Sequence, residues 1–190
     1  DHDVFLPEAA MKNYFSTGVE EQFDIADFEA LVGELSHAIV VFPEAPGSYA
    51  ETGYFSAINP LAKKCILALD SNRQDSSFIS LGPARKISSE SIYHPIIHID
   101  YTNPDFGPII EKIKSVATKK TRKHLNIGEF SSLSTYECAS LIHSVVDICT
   151  IATYDDVIYL FRSMFKGKLS EKKMRSVMSI LVGADYLIEI

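Results

Sequence analysis

Five consecutive apolar residues, Ala38-Ile39-Val40-Val41-Phe42, run directly into Pro43-Glu44-Ala45-Pro46-Gly47-Ser48. An apolar run with no polar alternation suits a parallel strand covered on both faces, and the Pro/Gly cluster after it marks a sharp turn. Two further runs have the same character, Cys65–Leu69 (CILAL) and Ile96–Ile99 (IIHI). Helical periodicity lies between and before them. Ile25, Phe28, Leu31, Val32 and Leu35 recur at helical spacing behind Asp24, a suitable N-cap, and predict a helix over about 25–36. Ser48 opens a second helix that ends near Phe55 or Ile58, before Pro60. Helices alternating with buried strands predict an α/β domain with a mainly parallel sheet. Asp3–Pro7 (DVFLP) adds a short buried strand at the start.

Beyond residue 108 the pattern becomes helical. Ile109, Ile110, Ile113 and Val116 fit one helix, and Gly128–Ser134 reads as a small polar linker. Helices are predicted over about 135–151, 154–165 and 170–183, followed by a strand opening at Tyr186–Ile190. Three short helices and a strand are the order of a winged helix-turn-helix, here without its second wing strand. The expected division is a domain over residues 1–126 and a smaller helical, winged-helix-like domain over 127–190.

Composition excludes several classes. Of 190 residues, 46% are hydrophobic and 23% charged, so the chain is neither disordered nor of low complexity. No apolar run approaches the roughly 20 residues that span a bilayer, and no secretory leader is visible. Cys65, Cys138 and Cys149 have no CxxC spacing, which points to reduced thiols in a cytoplasmic protein rather than a disulfide frame or zinc site. The net charge of -7 is unevenly spread: residues 1–60 hold eleven acids and one base, Lys12. The bases gather twice, in Lys112, Lys114, Lys119, Lys120, Arg122 and Lys123, and in Arg162, Lys166, Lys168, Lys172, Lys173 and Arg175. Each cluster suits either a solvated helix face or contact with nucleic-acid phosphates.

The chemistry-bearing segment is residues 42–55. It follows a buried strand, at the end where open α/β sheets bind ligands. Gly47 admits close backbone approach, and the helix start at Ser48 favours an anion. Glu51 lies one turn into that helix, and Gly53 allows tight packing on the sheet. Each residue also has a structural reading. Ser48-x-x-Glu51 matches a capping box, Glu44 a turn residue, and Tyr49 and Tyr54 packing aromatics. His37, His94 and His98 lack a neighbouring acid or Cys cluster, so no metal site is expected. HExxH, GxGxxG, Walker and GxSxG motifs are absent.

The run from Ala38 to Ser56, AIVVFPEAPGSYAETGYFS, resembles the nucleoside 2-deoxyribosyltransferase-like effectors of bacterial retrons, whose pattern is an apolar strand followed by F-P-E-x-P-G-S-F/Y-x-E-x-G-x-F-S. Leu61–Leu69, Phe78–Arg85 (FISLGPAR) and the Asp3–Glu8 stretch are similar to further family segments, and the helical tail from about 134 resembles the family's winged-helix part. The resemblance implies a Rossmann-like N-glycosidase domain of deoxyribosyltransferase type. It makes Glu51 the catalytic carboxylate, and Pro46, Gly47, Ser48, Tyr49 and Tyr54 the substrate-binding set. A carboxylate beneath the anomeric carbon stabilises an oxocarbenium-like state or traps the sugar covalently. Nicotinamide leaves as a neutral molecule, so NAD or a related nucleotide is the expected substrate and no cofactor is implied. The implied partners are the retron reverse transcriptase and its msDNA/RNA hybrid, which restrain a toxic effector during phage defence, with a higher oligomer allowed. Lys119, Lys120, Arg122, Lys123, Lys172, Lys173 and Arg175 are then the expected nucleic-acid or partner contacts. Against the family pattern the chain begins at Asp1, after the glycine-rich first strand, and stops within the wing at Ile190; a missing first strand is therefore expected. Two alternatives stay open: a nucleic-acid-binding scaffold with an inactive site, and a metabolic deoxyribosyltransferase that exchanges free bases.

Overall fold

A computed structural model describes residues 4–8, 10–11, 24–72, 78–116 and 128–190. Contacts divide the chain into two units, Ser36–Thr121 and the pair of segments Asp1–Leu35 and Arg122–Ile190.

The Ser36–Thr121 unit is a parallel sheet with helical crossovers. Its strands β1 (Ile39–Val41), β2 (Cys65–Asp70) and β3 (Ile96–Ile99) lie in that order, with Ile39 opposite Cys65 and Leu67 opposite Ile96. Helices α2 (Pro46–Ala57) and α3 (Asn59–Ala62) lead from β1 to β2. Helices α4 (Phe78–Leu81) and α5 (Pro83–Glu90) lead from β2 to β3, and α6 (Gly107–Ser115) follows. The unbroken apolar runs have the predicted consequence at β2, where Cys65, Ile66, Leu67 and Ala68 are all fully buried. Pleat alternation sends Ile66 and Ala68 into one cluster with Tyr93, Ile97, Ile99 and Ile109 of α6. The neighbours Cys65 and Leu67 face the other way. α2 packs on β1 and α5 on β2, and the two helices pack on each other. β1 departs from expectation: it forms one edge of the described sheet, and Ile39 and Val40 are only half-buried.

The other unit is helical. α1 (Ile25–Leu35) is capped by Asp24, whose Oδ1 accepts the Asp27 N–H at 2.8 Å. α7 (Thr135–Cys149), α8 (Tyr154–Met164) and α9 (Glu171–Gly183) form the body, each started by a hydroxyl cap: Ser134, Thr153 and Ser170. Ser134 and Thr153 complete capping boxes with Glu137 and Asp156. The core gathers Cys138, Ile142, Val157, Phe161, Met174 and Val177, all at 1% exposure or less. Phe130, Phe161 and Phe165 close a ring trio with centroids 5.6, 6.1 and 6.3 Å apart. Each such pair contributes about 0.5–1.5 kcal/mol beyond burial.

Four expectations are corrected here. The boundary at 126 placed α1 with the sheet, but Phe28, Leu31 and Val32 are buried with Ile180 of α9, so α1 belongs with the helical unit. The Asp3–Pro7 strand is absent among the described residues: Val4 and Leu6 are 88% and 66% exposed, Pro7 and Glu8 are helical, and Phe5 packs on the Phe28 cluster. The Gly128–Ser134 linker is ordered, because Phe130 and Leu133 are buried and Phe130–Ser132 forms a 3-10 turn. Tyr186–Ile190 forms no strand. Asp185 turns left-handed at φ 59, and the N–H groups of Asp185 and Tyr186 bond back to Val182 and Leu181. That is a Schellman ending, which folds the chain back onto α9 instead of extending it. The three predicted C-terminal helices are thus present, and no wing strand occurs among the described residues.

Candidate active site

β1 delivers the chain to its carboxyl end at Val41, and the Phe42–Ala45 turn passes it into α2. The helix starts two residues earlier than Ser48. Ala45 is the N-cap, and Pro46 occupies the first helical position, where its fixed φ and missing N–H cost least. Ser48 is the third helical residue. Its hydroxyl accepts the N–H groups of Glu44 (2.9 Å) and Ala45 (3.1 Å) and donates to the Ala45 carbonyl at 3.0 Å. Ala45 has no side-chain acceptor, so Ser48 supplies the side-chain tie between turn and helix, beside the Tyr49 N–H on the Ala45 carbonyl at 3.0 Å.

This register removes Glu51 from the expected capping box with Ser48 and places it in the second turn. Ser48, Glu51, Thr52, Phe55 and Ser56 follow i, i+3, i+4, i+7, i+8 spacing and define the inward face. Thr52, Phe55 and Ser56 on that face are buried, Ser48 and Glu51 half-buried. Thr52 Oγ1 satisfies itself on the Ser48 carbonyl at 2.6 Å, and Ser56 Oγ on the Gly53 carbonyl at 2.7 Å. Glu51 is therefore held on the inner side of a helix with two internally bonded hydroxyls beside it.

The remaining predicted residues divide. Pro46 and Gly47 are exposed, and a Cβ placed on Gly47 would meet nothing within 4 Å, which leaves room for a ligand. Gly53 is equally open, so it does not serve the tight packing expected of it; the residues packed inward here are Thr52 and Phe55. Tyr49 is 38% exposed beside the helix start, whereas Tyr54 tilts against Phe55 with centroids 5.9 Å apart. Glu44 is exposed and contributes its backbone N–H to Ser48.

Two acids outside the expected set, Asp70 and Asp100, sit at the same sheet end. Asp70 and Asp100 follow the last apolar residues of β2 and β3, a placement legible in CILALD and IIHID. Asn72 joins them: its N–H donates to Asp70 Oδ1 at 3.0 Å and its Nδ2 to Asp100 Oδ1 at 3.1 Å. Thr102 donates its hydroxyl (2.6 Å) and N–H (2.9 Å) to the same Asp100 oxygen. Those bonds, the Thr102 hydroxyl first, hold the Asp100 carboxyl below its ordinary range and keep it an acceptor. Beside them Phe42 meets Tyr101 and Phe106 edge-on at 6.2 and 6.0 Å, and the Tyr101 hydroxyl donates to the Ala68 carbonyl at 2.5 Å. Carboxylates and partly open aromatic rings at a strand end can receive sugar hydroxyls and a planar base.

Several described bases of the two clusters bond within the protein. Lys119, Lys120, Arg122 and Lys123 lie outside the described residues. Lys173 Nζ donates to the Leu133 carbonyl at 3.4 Å. Arg175 pairs with Asp155 at 2.7 Å and lies 5.7 Å over the Tyr154 ring. Arg162 pairs with Glu171, and Lys172 is half-buried. Lys166 and Lys168 are exposed. No group of three His, Cys, Asp or Glu suited to a metal occurs among the described residues. His37 and His94 use their carbonyls, on Tyr93 and Lys112. No described helix is long and apolar enough to cross a membrane.

Two comparisons bear on this arrangement. The family model of the STM3845 retron effector protein matches residues 1–189. A protein of Escherichia coli, provisionally named a retron Ec86 ribosyltransferase/DNA-binding protein, is 33% identical over 96 residues. That match covers 48% of this chain and 31% of the relative, so the chain spans less than a third of the relative's length.

Proposed function

The chain belongs to the STM3845 retron effector family, and from that premise we propose that it cleaves the N-glycosidic bond of NAD or a related nucleotide, with Glu51 as the catalytic carboxylate. The observation that carries this reading is the register of α2, which takes Glu51 out of a capping role and onto the inward face behind an open helix start. A carboxylate there can stabilise an oxocarbenium-like sugar or form a covalent glycosyl intermediate that water then hydrolyses. Gly47 and the α2 N-terminus leave space and favourable electrostatics for a phosphate. Asp70 and Asp100 supply acceptors for ribose hydroxyls. The relative's name points to glycosyl transfer, the same bond type.

Incubating NAD with the wild-type chain and with Glu51→Gln tests the reading. Nicotinamide release is expected from the first and not from the second; equal release from both removes Glu51 from the mechanism. Base exchange between deoxynucleosides, with NAD untouched, would favour the metabolic transferase instead.

In the same reading the retron reverse transcriptase and its msDNA restrain the enzyme. The scaffold alternative draws support from the DNA-binding part of the relative's name. Among the described bases after residue 130 it can draw on the exposed Lys166 and Lys168, since Lys173 and Arg175 already serve protein acceptors. Salt-dependent DNA retention that drops in Lys166→Glu/Lys168→Glu would favour that alternative.

A further inference from the structure

The helical unit carries a second concave surface. The end of α7, the Thr150–Thr153 turn, the start of α8, the last turns of α9 and the chain beyond it enclose a groove of about 860 Å³. Its wall includes the buried Val157 and Met178 and the half-buried Val146 and Val182. Its rim opens to solvent at Ile151 (68% exposed) and Ile188 (85% exposed). Large aliphatic side chains clustered in water on one face mark an interaction surface more often than a chance exposure.

Charge around the groove is one-sided. Asp147 and Glu189 line it, and no lysine or arginine does. Residues 143–161 and 176–190 hold five acids, Asp147, Asp155, Asp156, Asp185 and Glu189, and no lysine or arginine, whereas every base after residue 130 lies between Arg162 and Arg175. Phosphate would meet Asp147, Glu189 and apolar carbon here, and Arg175, over the Tyr154 ring, is already paired with Asp155, so nucleic acid is the disfavoured occupant. A helix with an apolar stripe and basic flanks fits on both counts: its stripe fills the groove and its flanks meet the acidic rim.

We propose that this groove docks a cationic amphipathic helix of a partner protein, independently of the glycosidase reading. The probe is a labelled helical peptide about 16 residues long, with leucines at i, i+3, i+4 and i+7 and lysines on its flanks, titrated into the full chain by fluorescence anisotropy. A second peptide carries glutamates in place of the lysines. The lysine peptide is expected to bind at least about tenfold tighter, with the preference shrinking as salt rises. Asp147→Lys/Glu189→Lys should reverse the preference. Ile151→Lys/Ile188→Lys should weaken the lysine peptide by about tenfold or more with the circular dichroism spectrum unchanged, since both side chains are exposed. Equal affinity for the two peptides, no binding, or unchanged binding in the isoleucine variant overturns the proposal. So does displacement of the peptide by duplex DNA, or a concentration-dependent dimer abolished by Ile188→Lys, which would make a second copy the occupant. None of these readouts depends on NAD cleavage.

Discussion

Ser48 Oγ takes the Glu44 N–H at 2.9 Å, closing the turn between β1 and α2 from the helix side. The same oxygen takes the Ala45 N–H and gives its proton to the Ala45 carbonyl, so one hydroxyl holds three backbone groups. Ser48→Ala is expected to destabilise the sheet unit by about 1 kcal/mol, as for loss of a helix cap. A urea midpoint lowered at constant m-value checks this. Under the proposed chemistry NAD cleavage falls further than stability does, because the turn that presents Gly47 loosens.

Gly47→Ala separates folding from ligand approach. The added methyl meets nothing within 4 Å, and alanine is a better helix former than glycine by up to about 1 kcal/mol. The melting temperature should hold or rise. Nicotinamide release should fall if substrate backs onto this residue, and an unchanged rate would remove Gly47 from the site.

Gly183→Ala should do the reverse, harming stability in the helical unit. A Cβ there would lie 2.6 Å from Ala10 Cβ and 2.7 Å from Ala10 Cα. Backbone cannot yield as a flexible side chain does, so a cost of about 1–3 kcal/mol is expected. Thermal unfolding of the full chain followed by near-UV circular dichroism measures it.

Alkaline pH should weaken both units through their buried thiols. Burial pushes Cys65 up to about 12 and Cys138 up to about 11, the latter opposed by the Lys173 charge. The unfolded thiols ionise near 9, so above that pH the unfolded chain holds fewer protons than the folded one and stability falls. The slope is about 1.4 kcal/mol per pH unit per thiol, ending once pH passes the folded values. Chemical denaturation of the wild type and of Cys65→Ala/Cys138→Ala from pH 8 to 11 should show the steeper loss in the former, since the buried Tyr93 phenol, also pushed up, adds a loss common to both.

Much of this was legible in the residues. CILAL became β2, whose first four side chains are buried, because a parallel strand covered on both faces has no way to hide a polar side chain, whereas IIHI became a β3 that alternates, with Ile97 and Ile99 buried and His98 exposed. The three C-terminal helices were equally plain from their apolar periodicity, and in the structure each starts at a hydroxyl cap, Ser134, Thr153 or Ser170. The failures lay where a local pattern depends on a distant partner. DVFLP has strand composition, yet Phe5 alone found a cluster, on α1 and α9. Ser48-x-x-Glu51 has capping-box spacing, but Pro46 starts the helix first and changes which residue does the capping. The basic run at 162–175 looked like one cationic face, while Asp155, Glu171 and the Leu133 carbonyl take up three of its cations. Asp70 and Asp100 were missed because an acid after an apolar run reads as a strand stop; their pairing through Asn72 needs the sheet order.

The placement of α1 bears on how the chain matures. Leu35 packs on a core whose other members lie between Phe130 and Leu187, and Phe28, Leu31 and Val32 await Ile180. A ribosome emits α1 before the sheet unit and the packing partners of α1 after it. During that interval the sheet unit, contiguous in sequence, can fold, while α1 trails with its apolar stripe in water. Until residues near 180 emerge, that stripe lacks the partner it packs on in the folded unit. The same placement also sets the rule for dissection: a fragment starting at 127 leaves behind the helix that packs on its core, whereas 36–121 keeps all three described strands.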